Sequence, residues 1–429
     1  RSELESLCFT PTLELDKEAV LDASIAAASA AAAFDGAGWC SPSNIFLTGA
    51  TGYVGAFLLT ELLNTTAPDV QLHCLVRSSD EASALDKIRS KLQQYGLWAP
   101  SFASRIRPIL GDLSLPRLGL SQPAFAQLAE TIDVIYHCGA MVDHVRGYEV
   151  LKPANVGGTQ EVLRLACTYR IKPMHFISTL SVIYPPTYVA GGVVPEDAPA
   201  GPLASLPNGY MQSKCVAEHL VQHGGERGLP VVTYRLGAIT GHSKTSVCNL
   251  GDFFYSALRS AVQLGFADDL DTDQTLVPVD HAVRVVVALS KLPSARGQVF
   301  HINAPQTFMW LELVELLCRH GYPIQVRSFG ECMEILKVAA RRTQDLPIIA
   351  FLPFLLQKRA GRSSYVLEEY YANVRYDCRG TLRALMENGI EPLPDPKECI
   401  ERYISYLCTH SLLPSEPGVS SDSQVPTSA

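Results

Sequence analysis

The sequence predicts an α/β protein: a doubly wound parallel sheet with a smaller, mostly helical C-terminal lobe. Three observations predict it. Strand-like and helical segments alternate through the first 245 or so residues, the pattern of βαβ units. A glycine-rich loop stands directly between the first strand candidate and the first helix candidate. Hydrophobic residues make up 47% of the 429 residues and charged residues 18%, below the usual charged share of about 25%. That composition excludes a disordered chain or a coiled coil and leaves ample apolar material for a large core.

Residues 1–42 read as a lead-in. Polar and acidic residues come first, then an Ala-rich helix-forming run over Ile25–Phe34, then a Gly/Ser/Pro-rich stretch. Strands are expected at Asn44–Thr48, Val70–Val76, Ile106–Leu110, Val134–His137, Met174–Ser178 and Val231–Leu236. Helices are expected at Val54–Asn64, Ala84–Tyr95, Gly158–Tyr169 and Tyr210–His223. The cofactor-binding part is thus placed at 43–245. From 246 to 412 helical spacing dominates: Phe253–Leu264, His281–Leu292, Trp310–His320, Cys332–Arg342, Arg379–Asn388 and Pro396–Leu407. Val299–Ile302 and Ile324–Val326 are strand candidates that can return to the main sheet. The Ser/Pro-rich end, 413–429, is expected to be disordered.

The loop reads NIFLTGATGYVG over 44–55. Gly49 permits a tight turn, Gly52 lets backbone approach a pyrophosphate, and Gly55 lets helix pack close on strand. The helix N-terminus then offers unpaired N–H groups to phosphate. This is the Rossmann-type dinucleotide fingerprint. Where an NAD site ends its second strand with an acid, this chain has Arg77. A guanidinium there pairs with a 2′-phosphate, so NADPH is the expected cofactor, with Arg89 as a second contact. Asp112, in Gly111-Asp112-Leu113 after the third strand, can accept from an adenine amino group.

Tyr210 and Lys214 are spaced i, i+4, on one face of a helix. A lysine ammonium beside a phenol draws its pKa down from ~10, and such a phenol can protonate a carbonyl oxygen that receives hydride. Thr179, at the end of the strand His175-Phe176-Ile177-Ser178-Thr179, would bond the same oxygen. Ser178 and Ser181 are neighbouring hydroxyls able to take its place.

The remaining features exclude other classes. The net charge of −8 offers no basic surplus for nucleic acid. The twelve cysteines form no CxxC pair, which fits a reduced, cytoplasmic protein. No signal peptide is recognisable. The apolar stretch Leu346–Gln357 falls far short of the ~20 residues of a membrane span, so it is expected to be a buried segment or a substrate-facing lid. No metal site is expected, because His137, Asp143 and His144 lack ligand spacing. No G-x-S-x-G elbow marks a serine hydrolase.

Taken in order, TGATGYVG (48–55), GDL (111–113), HCGA (137–140), NVGGT (155–159), ISTLSV (177–182), YMQSK (210–214) and YRLGAITG (234–241) resemble the extended short-chain dehydrogenase/reductase family. More narrowly, the chain resembles the terminal thioester reductase domains of non-ribosomal peptide synthetases, polyketide synthases and carboxylic acid reductases. The narrower features are KIRSKLQQYGLW (87–98), the HCGAMVDHV run (137–145), RYDCRGTLRAL (375–385) and ERYISYL (401–407). ELDKEAVLD (14–22) is similar to the linker from an upstream carrier protein, and a chain that starts at Arg1 is expected to be part of something longer.

The resemblance implies that Thr179, Tyr210 and Lys214 are the catalytic triad. It implies cofactor contacts at Gly49, Thr51, Gly52, Tyr53, Val54, Gly55, Arg77, Asp112, Leu113, Ala140 and Asn155, besides Tyr210 and Lys214. One departure is Cys138, where the family pattern has Asn. The implied activity is NADPH-dependent release of a carrier-bound acyl or peptidyl thioester as an aldehyde, or further as an alcohol, by a monomeric domain. Two rivals remain: a sugar-nucleotide epimerase or dehydratase with tightly bound NAD, and a non-enzymatic NADP-sensing regulator. The latter commonly lacks the Tyr or Lys that this chain keeps.

Overall fold

The computed structural model describes residues 13–27, 39, 41–188, 192–306, 308–343, 345–358, 364–370, 374–391 and 394–413. Most of the Ala-rich run of the lead-in and the Ser/Pro-rich end lie outside the described residues.

Seven strands make one parallel sheet: β1 (Asn44–Thr48), β2 (Gln71–Val76), β3 (Ile106–Leu110), β4 (Val134–His137), β5 (Met174–Thr179), β6 (Val231–Leu236) and β7 (Val299–Ile302), in the spatial order β7-β6-β5-β4-β1-β2-β3. Every pairing in it is parallel. The central strands read as nearly unbroken buried runs, β4 and β6 along their full length. A sheet covered on both faces requires that pattern.

Two helical layers cover the sheet. One contains α1 (Tyr53–Thr65), α2 (Glu81–Gln94) and α7 (Val279–Ser290). The other contains α3 (Gln122–Thr131), α4 (Gly158–Cys167) and α5 (Gly209–Glu226). The expected set of elements lacks α3, although Ser121 caps it and Phe125, Leu128 and Ala129 form its buried stripe. The chain order reverses between β1 and β4. Open α/β sheets bind their ligands at such a switch point, outside the carboxyl ends of the strands.

The C-terminal lobe holds α6 (Phe253–Leu264), α8 (Trp310–Arg319), α9 (Phe329–Arg342), α10 (Arg379–Glu387) and α11 (Pro396–Thr409). The two later strand candidates part company here. Val299–Ile302 is β7, at the edge of the main sheet beside β6. Gln325–Arg327 pairs instead with Phe266–Asp268 inside the lobe. Leu346–Gln357 folds as two short helical turns, Pro347–Phe351 and Leu352–Leu355, with Ile348, Leu352, Phe354 and Leu355 buried. Among the described residues no helix is long and apolar enough to cross a membrane.

The described part of the lead-in is strapped to the domain. Glu18 accepts from Tyr148 Oη (2.6 Å) and pairs with Lys152 (2.9 Å). Asp22 pairs with Arg164 (3.0 Å). The Arg227 guanidinium takes the carbonyls of Leu21, Asp22 and Ile25. With Ala19, Leu21 and Ile25 buried, the segment 13–27 packs on the domain, which its composition does not reveal.

Candidate active site

The glycine loop leaves β1 at Thr48 and crosses the loop leaving β4. Gly49 has φ +82°, and a Cβ on it would lie 2.7 Å from the Gly139 nitrogen. Gly55 is tighter still: its Cβ would lie 2.0 Å from the Gly49 carbonyl oxygen. Only glycine fits at either position. Gly52, which is exposed, begins α1, and no side chain caps its free N–H groups. An open helix N-terminus with no side chain above it suits a pyrophosphate, so the residues present fit a dinucleotide.

Thr48 and His137 lock the switch point. His137 Nδ1 meets Thr48 Oγ1 (2.7 Å) and its Nε2 meets Thr159 Oγ1 (3.0 Å). Thr48 Oγ1 also accepts the Gly139 N–H (2.9 Å). Burial pulls the His137 imidazole down to about 3, so it stays neutral and acts as a strut.

Beyond β2, Arg77 is exposed and lines an open groove with Thr51, Ser83, Lys87 and Lys91. Among the described residues Arg77 has no ion-pair partner. Lys87 Nζ donates to the Arg77 carbonyl (2.7 Å), which holds this lysine at the groove. Arg89, contrary to expectation, is not among the residues that line the groove; its guanidinium pairs with Asp86 (2.5 Å), which is a groove residue. The helical register turns 87 and 91 toward the groove and 89 away from it, a consequence of i, i+4 spacing.

Four other expected cofactor contacts are engaged within the protein. Asn155 accepts Met141 N–H (2.7 Å) and donates to the Met141 carbonyl (3.0 Å) and Ser213 Oγ (2.9 Å). Its amide therefore clamps the loop after β4 to α5. Asp112 accepts from Ser114 N and Oγ (2.9 and 2.8 Å), a local turn. Tyr53 donates to the Thr240 and Val247 carbonyls (2.9 and 3.2 Å). Leu113 wedges between Gly139 and Gly158, where any Cβ would collide with it. Val54 and Ala140 are half-buried beside the loops.

The expected triad comes from two adjacent elements. Lys214, buried in α5, donates to the Ile177 carbonyl of β5 (2.8 Å), and its Nζ lies 4.1 Å from the Phe176 ring centroid. Burial lowers this ammonium to about 8. Tyr210 lies one turn earlier, where α5 packs on the turn that follows Thr179. Thr179 Oγ1 accepts the Ser181 N–H (3.2 Å). That bond occupies a lone pair and leaves the hydroxyl proton free to be donated. Ser178 is removed from consideration, because its hydroxyl donates to buried Glu218.

The expected activation of Tyr210 is not what the surroundings produce. Burial raises the phenol, and Cys138 and Asp252 raise it further. Lys214 does not offset this, because its ammonium is directed to Ile177. A phenol held above its usual range stays protonated, which suits a proton donor and not a phenolate base. Cys138 is a neighbour of both groups, and burial pushes its thiol up to about 12, so it stays neutral beside them.

Behind the triad runs a buried polar chain. Glu218 pairs with Arg235 of β6 (2.9 and 2.5 Å). Arg235 also reaches His301 Nε2 of β7 (3.3 Å) and the Glu196 carbonyl (3.4 Å). The Glu196 carboxylate caps α10 through Gly380 N (2.7 Å), Thr381 N (3.1 Å) and Thr381 Oγ1. Glu218 was legible as the next step of the Tyr210-Lys214 spacing; Arg235 and Glu196 carried no such signal.

In front of Tyr210 stands an aromatic wall. The His144 ring is 5.4 Å from Tyr210, 6.0 Å from Phe351 and 5.8 Å from Phe354. Phe253 touches Phe351 and Phe354 (5.3 and 6.3 Å). Ordinary packing was expected of His144; its place beside the phenol is set by a lobe 200 residues on. Among the described residues no cluster of His, Cys, Asp and Glu has metal-site geometry.

With this geometry in view, the similarities to known proteins have a structural context. A family model described as male sterility protein, an NAD-binding domain, matches residues 47–286. A linear gramicidin synthase protein of Brevibacillus parabrevis is 40% identical over 295 residues, 69% of this chain and 6% of that protein. The non-canonical nonribosomal peptide synthetase hkm10 of Aspergillus hancockii is 36% identical over 382 residues, 85% of this chain and 36% of that protein. The chain thus spans little more than a third, at most, of these two curated relatives. The crystal structure of the terminal R domain from the myxalamid PKS-NRPS pathway superposes with a TM-score of 0.84 at 38% identity, covering 94% of this chain and 98% of that one.

Proposed function

Because the chain belongs to the male sterility family of NAD-binding domains and, within the extended short-chain dehydrogenase/reductases, to the terminal reductase domains, we propose that it releases a carrier-bound acyl or peptidyl thioester by NADPH-dependent reduction to an aldehyde. The chain is an NAD(P)H-dependent oxidoreductase. The proposal adds the thioester, the carrier protein upstream in the same polypeptide, NADPH over NADH, and Thr179, Tyr210 and Lys214 as the catalytic residues.

One observation carries it. Lys214 is bound to the β5 backbone at Ile177, and this fixes the Tyr210 face of α5 against the end of β5 that bears Thr179, beside the switch point. Gly49, Gly52, Gly55 and the α1 N-terminus would hold the pyrophosphate, and Arg77, Lys87 and Lys91 the 2′-phosphate. When bound, NADPH supplies the hydride.

The protein's own residues do the rest. The Thr179 hydroxyl and the Tyr210 phenol donate hydrogen bonds to the thioester oxygen as negative charge builds on it. Tyr210, still protonated, gives its proton to that oxygen. Lys214, desolvated and beside Phe176, positions the phenol by tying α5 to the Ile177 carbonyl of β5. The hemithioacetal so formed loses the thiol and leaves an aldehyde. Phe253, Phe351 and Phe354 shield the crevice from water.

Incubation with NADPH and a panel of acyl-pantetheine thioesters tests the proposal. Thioester-dependent NADPH oxidation with one equivalent of free thiol and an aldehyde or alcohol product is expected. Tightly bound NAD in the purified protein, with no thioester-dependent oxidation, would favour the epimerase reading.

A further inference from the structure

An apolar cavity of about 110 Å³ lies in the C-terminal lobe, apart from the crevice that holds Thr179, Tyr210 and Lys214. One wall is α6, with Phe253, Ala257 and Ala261; the opposite wall is α9, with Phe329, Met333 and Leu336. Phe253 connects the two spaces. It stands in the cavity wall and touches Phe351 and Phe354, which touch His144, which touches Tyr210. A row of rings thus leads from the phenol to the cavity.

Asp268 stands in that wall. Three neighbouring acids are occupied elsewhere. Asp269 accepts the Phe329 N–H (2.9 Å), Asp271 that of Leu311 (3.2 Å), and Asp273 those of Thr275 (3.1 Å) and Phe308 (3.3 Å). None of the three lines the cavity. The Asp268 carboxylate accepts only backbone N–H groups of its own turn, that of Leu270 (3.1 Å) and its own. Among the described residues it forms no ion pair: Arg327, its partner in the register of Phe266–Asp268 with Gln325–Arg327, lies over the Phe266 ring (5.6 Å). The other polar groups of the wall are satisfied without it. Gln274 donates to Thr272 (3.0 and 2.9 Å), Ser260 Oγ accepts the Ile348 N–H (3.1 Å), and the Trp310 indole N–H goes to the Asp268 backbone carbonyl (3.1 Å).

An anion placed among apolar side chains without a counter-ion is costly. Burial accordingly pushes this carboxyl up to about 6, and it is still ionised at neutral pH. Such a group, in a cavity, marks a place where a ligand provides the missing partner.

We propose that the cavity takes the distal part of the acyl chain and that Asp268 selects chains bearing a basic amino group there. The proposal rests on the reading of the chain as an acyl-thioester reductase. It adds the substrate class: apolar along the length that lies against Phe253, Met333 and Leu336, and cationic at one position.

Two measurements keep the proposal and the reading separable. In the first, n-hexylamine and n-hexanol are titrated into the protein and binding is read by calorimetry. The amine is expected to bind at least tenfold more tightly than the alcohol, and Asp268→Asn to bring that ratio near one. Ala261→Leu, which fills the cavity and leaves the carboxylate in place, is expected to weaken the amine at least tenfold, so the site is tested even if the first variant misfolds. In the second, kcat/KM is compared for the pantetheine thioesters of 6-aminohexanoic and heptanoic acids. The amino chain is expected to lead at least tenfold, and Asp268→Asn to abolish the lead. Amine binding that neither variant alters, or thioester reduction that favours the uncharged chain, overturns the Asp268 proposal while the reductase reading stands. Amine binding that depends on Asp268, without turnover of any thioester, overturns the reductase reading and leaves the site in place.

Discussion

Arg235 stands on β6 beside β5, and Asp268 stands in the wall of the C-terminal cavity; the first is a buried charge and the second a half-buried one. Arg235 is held by Glu218, His301 and the Glu196 carbonyl. Asp268 has backbone N–H groups of its own turn and no ion pair among the described residues. The region that must hold a phenol and a hydroxyl in register is satisfied from within. The region that must admit a chain leaves one charge for the ligand to meet. A crevice built for chemistry gains from rigidity, whereas a cavity built for recognition needs an unmatched group.

The strongest way to sharpen this contrast is Tyr210→Phe. Loss of the proton donor is expected to lower kcat with an acyl thioester by about 10²–10⁴-fold. The melting temperature should barely move, because among the described residues the phenol oxygen makes no hydrogen bond that packing depends on. A kcat within a factor of three of the parent would remove Tyr210 from the mechanism.

Next in size is Glu218→Ala, which leaves Arg235 buried without its carboxylate. Removing one partner of a buried pair costs about 3–5 kcal/mol, visible as a fall in the denaturation midpoint. Should stability be unchanged, the crevice is not braced in the way described.

Arg77→Ala acts outside both regions. A charge-assisted contact contributes about 1.5–3 kcal/mol, so the Kd for NADPH should rise roughly ten- to a hundredfold while that for NADH stays level. An unchanged NADPH/NADH ratio would place the 2′-phosphate elsewhere.

The smallest effect probes the cavity. The Asp268 carboxyl is raised from 3.8 to about 6, so between those values the folded state binds more protons than the unfolded one. Stability is therefore lost as pH rises through that window. Asp268→Asn should melt higher than the parent at pH 7.5, with the gap closing as pH falls below about 4 in thermal scans. A variant less stable at pH 7.5 would show that the carboxylate has a partner in the fold.

Much of the nucleotide half was legible in the sequence because its signals are local. Three glycines between a strand and a helix report the steric demands at Gly49 and Gly55 directly, since no other residue fits there. The Tyr210-Lys214 spacing reports a helix face. Legibility ended where a side chain has a choice of partners. Asn155 falls in a motif that implies a cofactor contact, yet its amide joins Met141 to Ser213. Arg89 is the expected second contact to the 2′-phosphate, yet it is Lys87 and Lys91 of α2 that line the groove with Arg77.

The sequence by itself determined the sheet, the phosphate loop and the facing Tyr and Lys, because hydrophobic period and glycine geometry act over a few residues. Tertiary structure alone decided which charges are answered. Four aspartates stand within six positions, 268 to 273, and as residue types they are identical. Three find backbone N–H groups away from the cavity, and the fourth faces apolar side chains from α6 and α9. The environment of a carboxylate is set by segments brought together across the chain, and no local pattern encodes it.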